Sequence, residues 1–108
     1  MSIFSWWRKR RTHRRAQTPI AKASKDAGIA ARVDMVRLEA MAEAAYDAMY
    51  EARLAGAKHR FEEARLNFDG AIEAARRAHL PQEAARLTRR RDQVVRIYIS
   101  QFRYSGGE

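Results

Sequence analysis

The sequence predicts an all-α protein, a small antiparallel helical hairpin or three-helix bundle with a flexible basic N-terminal arm. Three observations predict it. Alanine is the commonest residue and only five glycines and two prolines occur in 108 residues, a composition that favours helix over sheet. Beyond residue 26, apolar residues recur at three- and four-residue steps. The net charge of +9 is also unevenly placed: residues 1–25 hold eight of the 22 Lys and Arg and none of the 13 acids. A body near neutrality with a strongly basic tail points to an anionic partner for the tail.

The arm spans residues 1–25. Ile3, Phe4, Trp6 and Trp7 precede a block of six cations, Arg8, Lys9, Arg10, Arg11, Arg14 and Arg15. Thr18-Pro19 predicts a break, because the residue before proline is pushed toward extended geometry. Ser24 and Asp26 are suitable helix N-caps, so the helical body is expected to start near residue 26.

The first body helix is predicted over about 26–54. Met35, Leu38, Ala42, Ala45, Met49 and Ala52 form its apolar stripe, and Asp34, Glu39, Glu43, Asp47 and Glu51 make it the acidic helix. Gly56 is expected to end it as a C-terminal glycine. The second helix, about 58–79, has the clearest pattern, with Phe61, Ala64, Phe68, Ala71, Ile72, Ala75 and Ala78 on one face. Its acids lean toward the start and its bases toward the end, which suits the helix dipole. His79 reads as its last residue, and Pro81 as the first residue of the next helix.

The third helix is predicted over about 81–102, with Ala84, Leu87, Val94 and Tyr98 along one stripe. The run Val94-Val95-Arg96-Ile97-Tyr98-Ile99 also suits a strand. A strand there needs pairing from another chain, so helix is preferred. Residues 103–108 read as a frayed tail.

Much of the facing surface is alanine, which buries little apolar area, so a body of this size is expected to be marginal alone. The third helix carries a wide apolar arc. Val95, Ile99 and Phe102, with Tyr46 and Tyr50, are therefore candidates for a protein interface, serving a homo-oligomer or a partner protein.

No chemistry emerges, and the chain is read as not an enzyme. The absence of cysteine removes disulfides, thiolate metal sites and thiol nucleophiles. His13, His59 and His79 share no helix face at ligand spacing, and no glycine-rich phosphate loop or nucleophile motif occurs, so no metal, cofactor or small-molecule substrate is expected. No segment approaches the ~18 consecutive apolar residues of a membrane span. A cytoplasmic protein, free or peripheral to a membrane, fits these features.

The function expected is that of a non-catalytic binding or adaptor protein whose arm docks on an anionic partner. Nucleic acid without sequence-specific readout is favoured. Cations release counterions from phosphates, Trp6 and Trp7 stack on unpaired bases, and Arg86, Arg89 and Arg90 supply a second contact on the body. One alternative is a peripheral membrane protein anchored by Ile3, Phe4, Trp6 and Trp7 with the polybasic block against anionic headgroups. Another is a structural subunit of a protein assembly. The arginines of the third helix have a competing use, since they complement the acidic first helix within the bundle.

Overall fold

A computed structural model describes residues 2–103, with side chains from residue 25 onward except those of Leu54 and Arg103. Three helices follow one another: α1 (Ser2–Glu51), α2 (Leu54–Arg77) and α3 (Pro81–Tyr98). A five-residue π-helical turn (Ile99–Arg103) extends α3. The expected all-α bundle is therefore present, and residues 94–99 are helix and π-turn rather than strand. The residues beyond 103, read as a frayed tail, lie outside the described ones.

Two boundaries differ from those the sequence predicts. Helix α1 is continuous through Thr18-Pro19 and past residue 25, so no break in the backbone separates arm from body. An interior proline forfeits one hydrogen bond and costs about 3 kcal/mol. Ala16, Gln17, Ala21 and Lys22 on either side are strong helix formers that oppose that cost.

The second difference concerns Gly56, which lies in the first turn of α2 and does not terminate α1. The chain reverses instead at Ala52-Arg53, where Arg53 takes extended geometry (φ −71°, ψ 167°). Close approach favours glycine there. A Cβ on it would stand 3.1 Å from the Cβ of Ala52. At the far end of the same helix pair, a Cβ on Gly70 would stand 3.2 Å from Leu38 Cδ1. Glycine thus keeps the turn tight at residue 56, and at residue 70 it sits against the Leu38 side chain of α1.

Helix α2 closes with a Schellman motif. Leu80 N–H donates to Ala75 O at 2.9 Å and His79 N–H to Arg76 O at 3.0 Å. His79 is left-handed (φ 58°), so it sits just past the helix in the position usually given to glycine. Pro81 then opens α3 as expected, its fixed φ suiting the first turn.

The core runs along the α1–α2 and α2–α3 contacts. Phe68, Met49, Leu87 and Val94 are its largest fully buried side chains. Nine of the sixteen buried apolar residues described are alanine, which allows the helices to sit close but limits the area buried. Among the described residues, no polar or charged side chain is buried. Helix α2 packs against both neighbours, whereas the backbones of α1 and α3 scarcely approach each other. Ion pairs close that third side.

Candidate functional site

The cations of α3 are arranged on a four-residue step and meet acids of α1 on the same step. Arg86 donates to Glu39 through Nη1 at 2.7 Å and Nη2 at 2.9 Å. One turn on, Arg90 donates to Glu43 through Nε and Nη2, both at 2.8 Å. The equal sequence offset of the two forks means that α1 and α3 run parallel. Arg86 also bonds Glu83 in its own helix, through Nε at 2.9 Å. Arg90 lies over the ring of Tyr46, 5.0 Å from its centroid. On the other flank, Arg91 donates to Asp69 of α2 at 2.8 Å.

These contacts shift titration in the directions expected. Hydrogen bonds to Glu39 and then Glu83 hold Arg86 more firmly protonated than an ordinary arginine. Glu43 does the same for Arg90, and Asp69 for Arg91. The hydrogen bond from Arg86 holds the exposed Glu83 carboxyl below the usual glutamate value.

Of the three arginines predicted as a second anion contact, Arg86 and Arg90 therefore spend their guanidinium groups inside the bundle. Arg89 faces solvent and forms no ion pair among the described residues. The side chains of Trp6, Trp7, Arg8, Lys9, Arg10, Arg11, Arg14 and Arg15 lie outside the described ones, although their backbone belongs to α1.

The candidate interface residues are brought together at one end of the bundle. Tyr46 and Tyr50 share a hydrogen bond of 2.8 Å between hydroxyls and meet edge to face. Tyr50 meets Phe102 edge to face at 5.4 Å, and Tyr98 stacks on Phe61 at 4.0 Å. Within the π-turn, Phe102 meets both Tyr98 and Tyr50. Val95 and Phe102 pack against the core, Ile99 is half-buried, and Tyr50 remains 48% exposed. Burial, then the bond to Tyr50, pushes the Tyr46 hydroxyl up to about 12 from 10.0. Much of this arc is thus an aromatic cap on the chain's own core.

Sequence reasoning missed a second apolar line on α1. Ile29, Val33 and Val36 are exposed, on the side of the helix away from Met35, Ala42 and Met49. Their four- and three-residue steps are visible in the sequence, but the inner stripe has the same period and draws the eye first.

His59 and His79 are both exposed, and no group of three or more potential metal ligands occurs among the described residues. No described helix is long and apolar enough to cross a membrane. The chain matches no family model, no curated protein and no solved structure.

Proposed function

We propose that the protein is a non-catalytic nucleic-acid-binding adaptor, with the helical body carrying an Arg-rich segment that grips phosphates without reading sequence. The observation that carries this is the contrast in charge balance. In the body, the inward-turned arginines of α3 meet carboxylates of α1 and α2. Residues 1–25 contain eight cations and no acid, so no local carboxylate balances them.

The distribution of those cations favours a polyanion that surrounds them over a flat surface. At ~100° per residue, Arg8, Lys9, Arg10, Arg11, Arg14 and Arg15 fall on all sides of a helix. A membrane-surface helix concentrates its charge on flanks beside an apolar face. Trp6 and Trp7 add stacking partners for unpaired bases.

Fluorescence anisotropy with labelled single-stranded RNA and duplex DNA tests the proposal. With six phosphate contacts, log K should fall against log salt with a slope of about −4 for single strands and about −5 for duplex. Deleting residues 1–15 should abolish binding. Salt-independent affinity, or binding that survives the deletion, refutes the reading. Co-sedimentation with anionic vesicles but no nucleic-acid binding would transfer the arm to the membrane alternative.

A further inference from the structure

Helix α1 has two apolar faces, and the bundle uses one. Met35, Ala42, Ala45 and Met49 are buried in the body. Ile29, Val33, Val36 and Ala40 form the outer line, and the first three are 53%, 59% and 58% exposed. Single exposed aliphatic residues are ordinary, but three β-branched ones in register are not. They lower helix propensity slightly, so the helix gains nothing from them on its own.

The steps of four, three and four between these residues are those of a coiled-coil seam. We infer that this face is a self-association surface on which a second copy of the chain docks antiparallel. Charge decides the direction. With Val33 and Ala40 at a, and Ile29 and Val36 at d, Arg32 and Glu39 fall at g and Arg37 at e. An antiparallel pair sets g against g. Placing Val33 opposite Val36 and Ile29 opposite Ala40 then brings Arg32 of each copy beside Glu39 of the other, twice by symmetry. Glu39 already accepts from Arg86, and a carboxylate has lone pairs for further donors.

The parallel arrangement fails on the same arithmetic. It sets g against e of the following heptad, Arg32 beside Arg37, and aligns two blocks of six cations from residues 8–15. The antiparallel pair sends those blocks to opposite ends. The apolar seam from residue 29 to 40 is about 17 Å long at the rise of an α-helix. Such a seam buries less than a standard stable interface, so association is weak and salt-sensitive.

The test is sedimentation equilibrium of the full chain, freed of nucleic acid by nuclease and a high-salt wash, at low salt from about 10 to 500 µM. A monomer–dimer equilibrium is expected. Val36→Glu and Arg32→Glu should each weaken it at least about tenfold, with unchanged thermal melts because both side chains are exposed. A wild-type chain that stays monomeric throughout, or variants that dimerise like wild type, overturns the proposal. The natural chain has no cysteine, so Ile29→Cys and Ala40→Cys chains can be mixed under a redox buffer to read direction. The mixed disulfide should dominate, and like-with-like disulfides would overturn the antiparallel arrangement.

Discussion

The bridge between Glu43 and Arg90 can be measured by a double-mutant cycle with Glu43→Gln and Arg90→Met. Both hydrogen bonds of the fork are 2.8 Å, and the two side chains are 35% and 28% exposed. At a charge separation of about 4 Å and an effective dielectric of ~20, the gross attraction is about 4 kcal/mol. Partial solvent access and the immobilisation of an arginine remove most of it, leaving a coupling of about 1 kcal/mol. The assay is urea unfolding followed by helical circular dichroism, for wild type, both single variants and the double. Raising salt from about 0.05 to 1 M shortens the screening length to ~3 Å and should at least halve the coupling. In a body this small, the same energy shifts Tm by about 4–8 °C. A coupling below about 0.3 kcal/mol, or one indifferent to salt, would show that α1 and α3 are not joined through this fork.

His79→Gly relieves a left-handed backbone and should stabilise by about 0.5–1 kcal/mol, so an unchanged or lower Tm counts against the Schellman assignment. Gly56→Ala should destabilise by about 1 kcal/mol because its Cβ meets the fixed Cβ of Ala52. Gly70→Ala meets only the turnable end of Leu38 and should be neutral or better; equal effects at the two glycines would contradict this. Tyr46 binds its proton more tightly folded than unfolded, so its contribution is complete below pH 10.0 and is lost as pH rises toward about 12. Unfolding free energies from urea melts should fall over that window by about 1–2 kcal/mol more in wild type than in Tyr46→Phe, and parallel pH profiles would exclude the effect. Arg89→Ala should lower the salt slope of nucleic-acid binding by at most about one, whereas Arg86→Ala should show first in unfolding; the reverse ranking would mean that Arg86 leaves its carboxylates to bind phosphate.

The helix-forming signals that succeeded are those in which local and tertiary demands agree. Phe61, Phe68 and Ile72 mark the buried face of α2 in the sequence and are buried in the bundle. Pro81 starts α3 because its fixed φ suits a first turn wherever that turn is placed. The complementarity of acidic α1 and basic α3 was also legible, since both charge sets share a four-residue step.

Gly56 shows where local reading stops. A glycine near a helix end suggests a left-handed cap, but this one answers to the proximity of Ala52, a contact made only when the hairpin closes. Conversely, His79 occupies the left-handed position with a residue that gives no such signal. For the candidate site, the clustering of charge in residues 8–15 and the helical spacing of Arg86, Arg89 and Arg90 singled out the arginines. Which of them remain available depended on partners 47 residues away in sequence, and no local pattern reports that.

The alanine-rich interior also carries a thermal consequence. The heat-capacity change of unfolding scales with the apolar surface released, and methyl groups release little of it. With alanine at nine of the sixteen buried apolar positions among the described residues, the stability curve of this protein should be unusually flat, with a shallow maximum and a slow decline to either side. Fold and charge display would then vary little across a wide range of temperature, even though the margin at any one temperature is thin.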